Sequence, residues 1–178
     1  MSRSAPDRTL DQSRMPYQLP MPPEAAKEIV VSAVLPEDER VWVPQMADVW
    51  FRPLCLHVGQ GYWVNLLRVR KSGVLSRHRH PAPVHGHVLR GRWHYLEHDW
   101  VAETGSYVFE PPGEIHTLTV PEDCEEMITF FNISGCMIYL DADNKQIGLE
   151  DVFTKIDMCR RHYTAVGLGA DYVDQFIR

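Results

Sequence analysis

From about residue 40 to residue 141 the chain is a succession of short apolar runs, each cut off by a turn signal. The runs are VWVPQ, VWFRPLCLHV, YWVNLLRVR, VLSRHRH, HGHVLRG, RWHYLEHDWVA, SYVFEP, IHTLTVP, EEMITFFNI and CMIYLD. Between them stand Gly59-Gln60-Gly61, Ser72-Gly73, Pro81–Pro83, Arg90-Gly91, Thr104-Gly105, Pro111-Pro112-Gly113 and Ser134-Gly135. Runs this short suit strands, and breaks every eight to twelve residues or so return the chain antiparallel. Such a chain closes into a barrel or packs as two sheets, because an open sheet would leave long unpaired edges. The expected class is all-β, a jelly-roll-like antiparallel sandwich or barrel. With 178 residues the chain is long enough to bury one core, so a single domain is expected.

The ends differ from the middle. Residues 1–23 are polar and proline-rich and read as an N-terminal arm. The following PPEAAKEIVVSAV is expected to open with a helical turn. The barrel is assigned to residues 24–148 and a C-terminal helical segment packed on it to residues 149–178. In LEDVFTKIDMCRRHY the period changes, and Val152, Ile156, Cys159 and Tyr163 share one helical face. Glu150 and Asp151 are expected in the first turn and Arg160, Arg161 and His162 in the last, which suits the helix dipole.

Charge and cysteine usage narrow the partners. A net charge of -6 with no basic patch argues against nucleic acid. No apolar run approaches membrane-spanning length, and the N-terminus lacks the apolar core of a signal peptide. Cys55, Cys124, Cys136 and Cys159 are widely spaced, so free thiols in a cytoplasmic protein are expected. Residues 141–144, DADN, begin like a calcium loop, but Gln146 stands where such a loop needs glycine and Val152 where it needs glutamate.

Chemistry concentrates in GVLSRHRHPAPVHGHVLRG, residues 73–91, which holds His78, His80, His85 and His87 as two His-x-His pairs. Residues two apart on a strand share a face, so His78 and His80 project together and can grip one metal ion. Two ligands do not make a stable site; a third is needed. GSYVFEPPGEIH, residues 105–116, offers one, because Pro-x-Gly forces a tight turn that delivers His116 onto the next strand.

Together, G-x4-His-x-His followed by Gly91 and G-x5-Pro-x-Gly-x-x-His resemble the two-motif signature of the cupin superfamily over roughly residues 60–140. That resemblance implies a small β-barrel in which His78, His80 and His116 are metal ligands. The family's usual first motif also has a glutamate ligand; aligned on VLRG, Val84 holds that position. His85 and His87 fall on the face opposite Val84, as an interface or pocket rim, and do not replace the carboxylate. Val120 stands where the second motif usually ends in asparagine. The reading is a three-histidine site whose inner shell holds three protein nitrogens. Neutral imidazoles leave a dication its full charge and suit iron, zinc, copper or nickel without choosing among them. Such a centre favours an anionic, chelating small molecule.

Most of the chain further resembles the 2,4'-dihydroxyacetophenone dioxygenase family, and is related to the three-histidine acetylacetone-cleaving dioxygenases. The resemblance implies Fe2+ as cofactor and dioxygen as co-substrate. The reaction would cleave the bond between the ketone and hydroxymethyl carbons of an aromatic α-hydroxyketone, giving 4-hydroxybenzoate and formate. The candidate bases for the substrate proton are Glu110 and Glu97, and the candidate ring-binding residues are Trp63, Trp93 and Tyr95. By resemblance only, a homodimer or homotetramer is expected. The alternative is a non-catalytic metal-binding cupin, a zinc-holding sensor or regulatory module.

Overall fold

The computed structural model describes residues 15, 16 and 19–178, so the expected arm lies largely outside the described residues. PPEAAKEIVVSAV opens with a single turn, in which Ala25 N donates to the Pro22 carbonyl at 3.0 Å, and the chain forms no helix before Glu39. Two six-stranded antiparallel sheets follow. The first runs β1 (Val43–Met46), β2 (Val49–His57), β3 (Tyr62–Val69), β10 (Met127–Ser134), β5 (Val84–Arg90), β8 (Tyr107–Glu110). The second runs β12 (Gln146–Asp151), β11 (Cys136–Leu140), β4 (Gly73–Arg79), β9 (Ile115–Val120), β6 (Arg92–Tyr95), β7 (Ala102–Glu103). This is the all-β sandwich expected from the turn spacing.

The core lies between the sheets. Trp63, Val69, Val84, Trp93, Met127 and their neighbours are buried where alternate residues of each strand turn inward. The β5–β6 junction shows how tightly the turns are specified. Gly91 has φ 71°, and a Cβ there would sit 2.2 Å from the Glu126 carbonyl oxygen, so no other residue fits.

Two runs divide differently from their sequence pattern. RWHYLEHDWVA leaves the sheet after Tyr95 and rejoins it only at Ala102–Glu103. The DADN segment turns a β-hairpin: the Asp141 carboxylate accepts from the backbone N–H of Asp143 (3.0 Å) and Lys145 (2.9 Å), and Asn144 takes φ 60°. That hairpin makes β12, which the sequence reading assigned partly to the helix. Glu150 is therefore a strand residue, and Asp151 caps the helix from outside its first turn.

Helix α1 (Val152–Ala165) follows directly. Asp151 Oδ1 accepts from Thr154 N at 2.8 Å and Thr154 Oγ1 accepts from Asp151 N at 2.7 Å. This reciprocal cap contributes about 1 kcal/mol. The helix buries Val152, Ile156, Cys159 and Tyr163 against the barrel, and also Lys155. No described helix is long and apolar enough to cross a membrane. All four cysteines are free.

Candidate metal centre

Strands β4 and β9 are paired, and their register sets His78 directly opposite His116. His80 follows one residue beyond β4, where its carbonyl accepts from Gly113 N at 2.7 Å. The Pro111-Pro112-Gly113 turn thus pins His80 and also launches the strand bearing His116. Facing them from the other sheet is Glu110, the last residue of β8. One ligand atom from each of His78, His80, Glu110 and His116 lies within 4.8 Å of the others. Their exposures are 6%, 3%, 2% and 1%, so bulk water does not solvate them.

The histidines are oriented from behind. His80 Nδ1 lies 3.3 Å from the Cys136 carbonyl, which only accepts, so the proton sits on Nδ1 and the Nε2 lone pair is free. His78 Nδ1 is 3.1 Å from Ser76 Oγ. The His116 ring stacks flat on Tyr95, with centroids 3.9 Å apart at 4°. Tyr95 and the Glu110 carboxyl line the same cavity, so the ring that backs His116 also stands at the cluster. Glu110 Oε2 stands 3.6 Å from His80 Nε2 and 3.5 Å from His116 Nε2, too far for good hydrogen bonds. Glu110 Oε2 and both nitrogens of His116 are buried with no partner. Unsatisfied buried groups cost about 1–3 kcal/mol each, and a divalent cation among them satisfies Glu110 Oε2 and one nitrogen of His116 at once. Three imidazoles and a carboxylate are suitable ligands for such an ion.

Burial sets the proton affinities. It holds His78 well below the usual histidine value, His80 at about 4 and His116 at about 3, with neighbouring imidazoles adding to the effect on His78 and His116. Burial raises Glu110 to about 7 against the opposing hydrogen bond from Tyr95. These shifts act on metal-free stability in opposite senses. Below 6.5 the unfolded histidines take up protons that folded His80 refuses until about 4, so stability falls on acidification. The folded Glu110 keeps its proton to about 7 while the unfolded carboxyl releases it near 4.5, so its burial costs stability as pH rises through that window. Three histidines outweigh one carboxyl. The metal-free protein is therefore expected to melt at lower temperature at pH 4.5 than at pH 6.5, by several degrees (of order 1–3 kcal/mol). Thermal melts of chelator-treated protein across that range check this, and a higher melting temperature at the acid end contradicts it.

The other expected site residues are distributed as follows. Tyr95 and Trp63 line the cavity that opens from the cluster. Trp93 does not: it is fully buried behind Tyr95, packed on Tyr95, Trp100 and Phe131 at centroid distances of 5.1, 5.6 and 5.9 Å. Its indole belongs to the core. Glu97 is exposed, and its carboxylate accepts from Thr117 N (2.7 Å) and Thr117 Oγ1 (2.8 Å). It steadies the strand next to His116 and does not enter the cavity. His85 and His87 lie on the outer face of β5 beside Tyr107, whose hydroxyl is 2.8 Å from His85 Nδ1.

A carboxyl stands beside the three nitrogens. Val84 does stand in the barrel wall, but its register partner on β8 is Glu110. The carboxylate comes from the adjacent strand, one strand spacing from where the motif would put it. Three polar cavity residues had no motif to signal them: Gln45, Asn65 and Lys155. Lys155 is 2% exposed, with Nζ 3.0 Å from Gln45 Oε1, 2.6 Å from Glu150 Oε2 and 4.3 Å from the Phe51 ring centre. Gln45 in turn donates to the Tyr139 hydroxyl at 2.9 Å. Only the helix face hinted at Lys155, which sits one turn from Val152.

The molecule's likeness to known proteins agrees with this architecture. An RmlC-like cupin protein of Ralstonia eutropha JMP134 superposes with a TM-score of 0.68 at 30% identity, covering 71% of this chain and 83% of that one. A protein of unknown function with a cupin-like fold from the same organism gives a TM-score of 0.65 at 26% identity, covering 67% and 75%. The acetylacetone dioxygenase of Acinetobacter johnsonii shares the fold at a TM-score of 0.64 and 18% identity, covering 81% and 97%. No curated protein sequence matches the chain. Residues 31–136, more than half of the chain, match the ChrR cupin-like domain. The chain is a member of the ChrR cupin-like domain family.

Proposed function

We propose that this protein is an iron-dependent dioxygenase that cleaves 2,4'-dihydroxyacetophenone to 4-hydroxybenzoate and formate. The observation that supports it best is the buried cluster of three imidazoles and one carboxyl opening onto a mostly apolar cavity. That arrangement suits a small aromatic molecule with adjacent oxygens at one end. The fold shared with an acetylacetone dioxygenase is consistent with this reading. His78, His80 and His116 would hold the iron. A bound ferrous ion would supply open positions for the ketone and hydroxyl oxygens and the electrons that dioxygen requires.

The chain's own residues do the rest. Cleavage begins with loss of a proton from the hydroxymethyl carbon. Glu110 is the sole carboxylate among the described residues lining the cavity, which makes it the base for that proton. The apolar walls, including Phe131, Ile133 and Leu118, exclude water and hold the ring.

The test is oxygen uptake by the iron-loaded protein. One dioxygen should be consumed per 4-hydroxybenzoate formed, with one labelled atom entering each acid. 4'-Hydroxyacetophenone, which lacks the side-chain hydroxyl, should be turned over at least about a thousandfold more slowly. Efficient turnover of that compound contradicts chelation as the basis of selection. A protein that retains zinc and consumes no oxygen with any α-hydroxyketone would instead fit a regulatory cupin.

A further inference from the structure

The inner face of the first sheet carries two cross-strand rows. One runs Glu110–Val84–Ile133–Trp63, the other Gly86–Phe131–Asn65, along the strand order β8, β5, β10, β3. All but Gly86 line the cavity. At the end of the rows away from Glu110, two polar atoms are buried with no partner: Trp63 Nε1 and Asn65 Oδ1. Trp63 is 0% exposed and Asn65 3%. As residues i and i+2 of β3 they share one inward face. Three strand spacings of about 4.8 Å separate them from Glu110 along the sheet, roughly 14 Å before side chains shorten the gap.

We propose that Trp63 and Asn65 form a hydroxyl-recognising pair that selects substrates with a polar group at the end remote from the metal centre. This inference rests on the reading of that centre as the chelating end. An indole N–H only donates and an amide oxygen only accepts, so together they match a hydroxyl, which does both. Phenylalanine and leucine would fill the same volume without stranding a polar atom; Trp93 Nε1 is stranded too, but Trp93 does not line the cavity as Trp63 and Asn65 do. The cavity's other polar end already has its bonds: Lys155 is paired with Gln45 and Glu150. Between the two ends the wall is apolar. The Phe131 ring lies over Gly86, where a Cβ would come within 3.0 Å of Phe131 Cε1. Glycine lets that ring lie against the wall, as a surface for the ring of a ligand.

The experiment is an anaerobic binding titration of iron-loaded protein with three ketones: 2,4'-dihydroxyacetophenone, its 4'-methoxy analogue, which cannot donate, and 2-hydroxyacetophenone, which lacks the ring substituent. The wild-type protein should prefer the hydroxylated compound over each of the others by about tenfold. Asn65→Leu and Trp63→Phe should each reduce that preference to within about threefold, chiefly by weakening the hydroxylated compound. Should Asn65→Leu not fold, Trp63→Phe and the wild-type comparison of hydroxyl with methoxy still decide. Equal binding of all three ketones to the wild type, no binding of any, or a tenfold preference surviving both substitutions would overturn the pair. Oxygen uptake separates this from the reading of the metal end. Turnover of 2-hydroxyacetophenone without a hydroxyl preference refutes the pair alone, whereas a preference without turnover of any ketone refutes the dioxygenase reading.

Discussion

His116→Ala is expected to lose bound metal and all measurable turnover while remaining a folded β protein. The imidazole is 1% exposed, directly opposite His78, and stacked on Tyr95. Removing it leaves two histidines and a carboxyl, so metal affinity should fall by more than about 100-fold. The fold should survive, because the ring is a buried polar group without a hydrogen-bond partner. The loss of its stack on Tyr95 should cost roughly 1–3 kcal/mol of metal-free stability. His78→Ala and His80→Ala should behave alike. His85→Ala and His87→Ala, on the outer face, should keep their metal. Metal analysis beside far-ultraviolet circular dichroism decides the matter: stoichiometric metal in His116→Ala would place the centre elsewhere.

How far the sequence foretold this depends on whether the information was local. The strand runs and the two histidine motifs were legible because alternation and tight turns act over a few residues. His78 and His116 were identifiable for that reason, although 38 positions apart, each being marked by its own turn chemistry. Glu110 was visible as a carboxylate before a turn, but its place in the cluster depends on β8 pairing with β5 in one register. No local pattern encodes that. Trp93 and Trp63 look alike in sequence, both aromatic on alternating strands. One is sealed behind Tyr95 and the other faces the cavity. No pattern marks Lys155, because Gln45 and Glu150, which surround it, come from β1 and β12.

The register of Glu110 leads to the second large effect. Glu110→Val should abolish the base and take a negative charge from beside the metal, lowering turnover at least about 100-fold. Val84→Glu in the otherwise unchanged protein should also be harmful. Facing residues on paired strands have Cβ atoms about 5 Å apart, so two carboxyls would share one buried site and one would stay protonated. Metal-free stability should drop by roughly 2–4 kcal/mol in that variant. The double substitution, Val84→Glu with Glu110→Val, moves the carboxyl one strand over with its charge conserved. It should regain metal affinity to within about tenfold of the wild type, a coupling of 1 kcal/mol or more relative to the single variants. Turnover should return only in part, since the base would then stand one strand away from its present position. The four proteins form a closed cycle, read by metal affinity and by oxygen uptake. A double variant no better than Glu110→Val in metal affinity would show that a carboxyl anywhere on this wall is not enough. The centre would then require the carboxyl at its present place on β8, and the strand-to-strand exchange of Val84 for Glu110 would not be a neutral rearrangement.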